Sequence, residues 1–238
     1  MPDIEIGPVA GGSARLRGYL AVPEGDGPWP GVVAIHEALG LNDILRRQAD
    51  RLATAGYLTL APDLYSDGGA ARCVVGTFRA LLAGHGKPLA DIDAARAALA
   101  QRADSTGRIG VIGFCMGGGF ALLAAPAGFD AAAVNYGMLP RHVEDALAGS
   151  CPIVASYGRK DPMLPRGTAN KLTRTLVELG VAHDVKQYPD AGHAFLNDAY
   201  YGPGPAQQVQ RVLHVGPEPE SAVDAWARIE RFFARYLT

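Results

Sequence analysis

Long hydrophobic runs are missing from this chain of 238 residues: no apolar stretch reaches the roughly 18 residues a membrane span requires. An excess of charge of one sign is missing too. Lys and Arg number 22 against 24 Asp and Glu, a formal net charge of −2. That leaves no basic field for nucleic acid and no polybasic patch for a membrane surface. Charged residues make up only 19% and hydrophobic ones 48%, which excludes a largely disordered chain. Cysteine is scarce. Cys73, Cys115 and Cys151 are odd in number and widely spaced, with no Cys-x-x-Cys and no His at a metal-ligand distance along the chain. A disulfide framework and a structural metal are therefore not expected. The opening MPDIEIGPVA lacks a basic region, so the expectation is a cytoplasmic thiol protein without a secretory signal. No repeat, low-complexity tract or long polar linker divides the chain. A single domain over 1–238 is expected, large enough to bury a core without a staple.

What is present is alternation. GVVAIH (31–36), YLTLAP (57–62), RIGVIGF (108–114), AAAVNYG (131–137), PIVASYG (152–158) and HDVKQYP (183–189) are short apolar runs. Between them lie helical periods: 42–56, with Asn42 as N-cap and Gly56 as C′ glycine, then 91–102, 116–128 and 166–180, with 222–237 at the end. This is the pattern of an α/β fold with a mainly parallel sheet flanked by helices on both faces. Residues 14–23 alternate in polarity and no helix follows them, so they read as an antiparallel edge strand. Residues 199–219, broken by Gly202–Pro205 and by Gly216-Pro217-Glu218-Pro219, read as an irregular excursion. In such sheets chemistry sits beyond the carboxyl ends of the strands.

The sharpest local signal is Gly113-Phe114-Cys115-Met116-Gly117-Gly118, which follows one apolar run and opens a helix. Small residues on both sides of Cys115 permit the tight strand-to-helix turn that lifts a nucleophile clear of a sheet. A helix N-terminus also favours a thiolate. The same glycines could simply pack a helix on a strand, and a phosphate-binding loop is a rival, but G-x-G-x-x-G and Gly-Lys-Ser/Thr are absent. A thiol nucleophile needs a base. His193 stands in the turn just past the last apolar run, whereas His85, His142, His183 and His214 lack that placement. Asp161, directly after PIVASYG, supplies the orienting acid. The chain order Cys115, Asp161, His193 is nucleophile, acid, base. The loop His36-Glu37-Ala38-Leu39-Gly40 follows another strand end. It places the Ala38 N–H as partner to that of Met116 for an oxyanion, and it brings Glu37 near Cys115, where a carboxylate opposes a thiolate.

Taken together, HEALGLN, APDLY (61–65), GFCMGG, YGRKDP and DAGHAF resemble the dienelactone hydrolase family of α/β hydrolases, over essentially the whole chain. The resemblance implies an α/β-hydrolase fold and hydrolysis of small-molecule esters or lactones by a Cys115–His193–Asp161 triad through an acyl thioester. It implies no metal or organic cofactor, and a hydrogen bond from the resting Cys115 thiol to Glu37. Candidate substrate contacts are Tyr65, Arg72, Arg79 and Asn197. Asn197 stands four residues after His193, where members acting on dienelactone carry an Arg, and His36 stands where they carry Gln. The Tyr200–Tyr201 region is expected to add apolar and aromatic surface beside the site. Competing readings are a thiol amidohydrolase of amidotransferase type and a redox or ligand sensor on the same fold. Charge and compactness point to a monomer or weak dimer, with neither nucleic acid nor membrane as partner.

Overall fold

The computed structural model describes residues 3–238. Its strands are β1 (Asp3–Gly7), β2 (Leu16–Ala21), β3 (Trp29–Ile35), β4 (Leu58–Pro62), β5 (Ser105–Phe114), β6 (Ala131–Asn135), β7 (Ile153–Gly158) and β8 (His183–Tyr188). They form one sheet in the order β1-β2-β4-β3-β5-β6-β7-β8. From β4 to β8 every pairing is parallel, and β2 runs antiparallel to both β1 and β4.

Period-2 alternation divides the core between the two faces. In β3, Val33 and Ile35 point to one side and Val32 and Ala34 to the other. The first side is covered by α2 (Ala70–Ala83), α3 (Lys87–Ala100), α4 (Met116–Ala124) and α6 (Thr168–Glu178), through residues such as Leu81, Ile92, Leu99, Phe120 and Leu172. The second is covered by α1 (Asp43–Thr54) and α8 (Pro219–Leu237), through Leu45, Leu52, Trp226, Ile229 and Phe233. Two short helices complete the fold, α5 (Val143–Ala146) and α7 (Gly204–Val212). The caps of α1 are those the sequence indicates: Asn42 accepts from Leu45 N, and Gly56 turns left-handed at φ 93°.

Four elements differ from the sequence expectation. Segment 14–23 yields β2, which is not an edge strand. The short β1 lies outside it, and β2 is buried on both faces, with Leu20 on one and Tyr19 and Ala21 on the other. The 199–219 excursion is not wholly irregular, because Pro205 in the first turn starts α7. Helix α2 has no counterpart in the expected alternation, and α3 begins at Lys87, ahead of its acidic residues.

Candidate active site

Strand β5 passes into α4 through Cys115, whose backbone is left-handed at φ 55° and ψ −116°. A non-glycine residue holds that conformation only where its surroundings over-determine it. Here Cys115 N donates to Asn135 O at 3.0 Å, and backbone crowds the turn from three sides. A Cβ on Gly113 would stand 1.9 Å from Gly117 O, one on Gly117 2.3 Å from Ile35 O, and one on Gly118 2.6 Å from Asn135 O. The glycines around Cys115 are thus demanded by close approach of β3, β6 and α4. The first N–H groups of α4, Met116 among them, find no carbonyl within their own helix. The Cys115 side chain stays partly exposed.

His193 sits beyond β8 and is held by its backbone as well as its ring. Its N–H donates to His214 O and its carbonyl accepts from Gly216 N, both at 2.8 Å, a parallel bridge to Val215. The ring meets Asp161 through Nδ1 and Oδ2 at 2.8 Å, with the two side chains only 4% and 2% exposed. The other Asp161 oxygen accepts from Met163 N at 2.8 Å, so this carboxylate both fixes its own turn and receives the imidazole. The Tyr136 ring packs edge-on at 5.0 Å. Nε2 is buried without a hydrogen-bond partner, and the Cys115 thiol is close enough to act on it. Burial works against a charged ring, but Asp161 and Cys115 outweigh it and carry the His193 pKa up to about 10. A cavity of about 390 Å³ adjoins the acid turn, lined by Asp161, Arg159 and Arg166 but by neither Cys115 nor His193.

The loop after β3 is fixed by two aromatic side chains. His36 Nε2 accepts from Leu64 N at 3.1 Å, which assigns the proton to Nδ1, and Nδ1 donates to Glu37 O at 2.6 Å. Complete burial lowers the pKa of His36, in keeping with this neutral tautomer. Tyr65 packs against the His36 ring at 4.7 Å and donates its hydroxyl to Ala38 O at 3.0 Å. Tyr65 therefore braces the backbone that carries the Ala38 N–H; its hydroxyl is committed to the loop and not offered to a substrate.

Glu37 is buried, and no hydrogen bond joins it to Cys115 among the described residues. Its Oε2 accepts instead from Tyr201 Oη at 2.6 Å and from Asn197 Nδ2 at 3.4 Å. Asn197 in turn accepts from Gln48 Nε2 at 3.2 Å. Asn197 is thus spent on protein partners, and Tyr201 brings a polar contact where apolar surface was expected. Glu37 Oε1 and the Tyr136 hydroxyl are both buried without hydrogen-bond partners. Burial first, and then the charge of Glu37, holds Tyr136 well above the ordinary tyrosine range. Tyr136 and the Tyr201–Glu37 bond are the site features that sequence reasoning missed. Arg72 and Arg79 lie exposed on α2, with no side-chain ion pair among the described residues.

The model of the dienelactone hydrolase family matches residues 16–237. The chain belongs to this family. As a member it is an α/β hydrolase, of the class that cleaves carboxylic ester and lactone bonds. A protein of Salmonella typhimurium assigned by name as a carboxymethylenebutenolidase is 30% identical over 239 residues, covering 93% of this chain and 83% of that protein. One of Saccharolobus solfataricus, with the same assignment, is 28% identical over 260 residues, covering 93% and 95%. The solved structure of a Klebsiella pneumoniae protein, assigned as a dienelactone hydrolase, superposes with a TM-score of 0.79 at 27% identity, covering 99% of each chain. Among the described residues no helix of this family member is long and apolar enough to cross a membrane. No group of three or more His, Cys, Asp and Glu converges there as a metal site.

Proposed function

We propose that the chain hydrolyses small esters and lactones by covalent thiol catalysis at Cys115. The observation that carries this reading is the left-handed Cys115 at the head of α4, beside a His193 whose Nδ1 is already committed to Asp161. In this mechanism Cys115 Sγ, its proton held by His193 Nε2, attacks the acyl carbon. Asp161 keeps the ring oriented and stabilises the imidazolium. The Met116 and Ala38 N–H groups receive the developing oxyanion. Collapse breaks the bond to the alkoxide, which leaves with the proton from His193, or stays tethered when the substrate is a lactone. Water then attacks the thioester, again giving its proton to His193, and the acid departs as the thiol reforms.

The acyl group is proposed to need no free carboxylate. Asn197 is neutral and engaged, Arg72 and Arg79 are outward on α2, and Leu39 and Met163, beside the oxyanion loop and the acid turn, are 55% and 60% exposed. The test is a panel of activated esters and lactones assayed on the wild type and on Cys115→Ala. We expect a burst of alcohol release in the wild type and a loss of several orders of magnitude in the variant, since such residues act as a unit. Near wild-type turnover by Cys115→Ala would refute the thiol mechanism.

A further inference from the structure

Between positions 159 and 174 the chain carries Arg159, Lys160, Arg166, Lys171 and Arg174 against a single acid, Asp161. In a protein of net charge −2 this is a local reversal of sign. The segment runs from the end of β7 through the acid turn into α6, and with Tyr157 and Gly158 it supplies nearly all the lining of the cavity of about 390 Å³ beside that turn. Such a volume falls within the range of about 300–1,000 Å³ typical of small-molecule sites.

The acids near the cavity are already engaged. Asp161 meets His193 Nδ1 with one oxygen and Met163 N with the other, and its side chain is 2% exposed. Asp190 is paired with Lys160 at 2.9 Å. Arg159 and Arg166, the two cations in the lining, are exposed and have no ion pair or side-chain hydrogen bond among the described residues. They contrast with Arg46, Arg47, Arg51 and Arg102, each of which holds a carboxylate at 2.9 Å or less.

Both unpaired arginines stand on fixed backbone. Arg159 N donates to Tyr188 O at 2.8 Å on the edge strand β8. After Arg166, Gly167 turns left-handed at φ 83° into α6, and Thr168 Oγ1 closes the turn by donating to Pro165 O at 2.6 Å. Apolar wall is supplied by Tyr157, Leu164 and Ala169. The Tyr157 hydroxyl is committed to Gly137 O at 3.2 Å, so the cavity receives its ring. Guanidinium groups match carboxylate and phosphate oxygens in a two-point geometry.

We propose that this cavity is a second binding site, for a small organic anion, whose phosphate or carboxylate head pairs with Arg159 and Arg166 while its apolar body lies on Tyr157 and Leu164. The wall includes Asp161 but neither Cys115 nor His193. The anion is therefore a ligand of the acid turn and not a substrate, and the inference does not rest on Cys115 being the nucleophile.

The experiment titrates nitrogen-15-labelled protein at pH 7 with phenyl phosphate, benzoate and benzyl alcohol, and follows the backbone amides by NMR. Phenyl phosphate is largely a dianion at that pH, benzoate carries one charge, and benzyl alcohol has a similar body and none. The two anions are expected to shift the amides of Arg159, Leu164 and residues 167–169 saturably, and benzyl alcohol to bind at least about tenfold more weakly than either, for want of one hydrogen bond to a charged group. The tighter of the two anions identifies the head as phosphate monoester or carboxylate. Arg159→Gln and Arg166→Gln are each expected to raise Kd by about ten- to a hundredfold, on the same ground, with melting temperature in the absence of ligand as the control for folding. Absence of a saturable shift at the cavity overturns the proposal, as do shifts confined to Ala38, Met116 and His193, which would put the anion at the candidate active site. Benzyl alcohol binding as tightly as the anions, or unchanged anion affinity in both arginine variants, overturns it too.

Discussion

Gly117→Ala isolates the demand that the elbow places on its neighbours. The added Cβ would sit 2.3 Å from Ile35 O and 2.7 Å from His36 O. Ordinary contact begins near 3.4 Å, so α4 and the end of β3 must separate by about 1.1 Å. Neither partner is the tip of a flexible side chain. Both are backbone, and β3 is a central strand bonded on each side. The separation therefore opens the gap between the two N–H groups proposed to receive the oxyanion, Met116 on α4 and Ala38 beyond β3. A displacement of about 1 Å costs roughly a hundredfold in rate, and loss of an oxyanion donor costs about 10²–10³. Overpacking of a tight core costs about 1–3 kcal/mol, or roughly 2–12 °C in melting temperature for a chain of this size. The control is Gly76→Ala. Gly76 lies within α2 and a Cβ there meets nothing within 4 Å, so it should gain about 0.5–1 kcal/mol from the helix preference for alanine and keep full activity. The assays are kcat/KM on an activated acetate ester and thermal melting followed by circular dichroism. If Gly117→Ala kept more than a tenth of wild-type kcat/KM, the elbow would not be coupled to the oxyanion loop as argued here.

Three further outcomes follow from the same geometry. Buried His36 has a lowered pKa, so the unfolded chain takes up its proton first. Its contribution is complete above the unfolded value of about 6.5 and is lost as the pH falls below it; His36→Gln should flatten the fall in melting temperature between pH 6.5 and 4, and an unaltered acid limb would contradict this. His193 is opposite in sign: its pKa is raised to about 10, so its contribution is complete below about 6.5 and lost as the pH rises through 10. Melting curves for Asp161→Asn should therefore lose part of the wild type's stability near neutrality and show less dependence on pH between 7 and 10, whereas parallel curves would count against the pairing. For substrate choice, a lactone bearing a carboxylate and its methyl ester should differ in kcat/KM by less than a hundredfold, and Arg72→Ala and Arg79→Ala should change the ratio less than twofold; a preference of a hundredfold or more for the acid would show that a cation reaches the acyl pocket.

The parts of this molecule that were readable in the chain are those whose cause is local. Asn42, Gly56 and Gly113 act within a few residues, and each stands where its turn requires it. The order of Cys115, Asp161 and His193 was equally visible, because each follows a strand end and a parallel sheet gathers its strand ends on one edge. What escaped depends on neighbours that are distant in sequence. Tyr136 is needed at φ 42° beside His193 only because β6 lies between β5 and β7. Tyr201 reads as an aromatic in a glycine-rich stretch, and its partner Glu37 is 164 residues away. Strand β2 looked like an edge because its residues alternate in polarity and no helix follows them, and the strand that covers it, β1, is only five residues long.

The bridge between His193 and Val215 has a consequence for how this fold can change. The chain leaves the base, makes an excursion and returns to bond the same residue's N–H and carbonyl. Its ends are thus closed by the hydrogen bonds that position the imidazole, whatever lies between them. Doubling the length of a flexible loop adds only about 0.6 kcal/mol of closure entropy. The stretch from Gly202 to Leu213 is accordingly a site where residues can be inserted, deleted or exchanged while the base stays in register, provided that Gln210 keeps its bonds to Tyr201, and grafting segments of different length and polarity there is a direct route to new acyl or alcohol preferences.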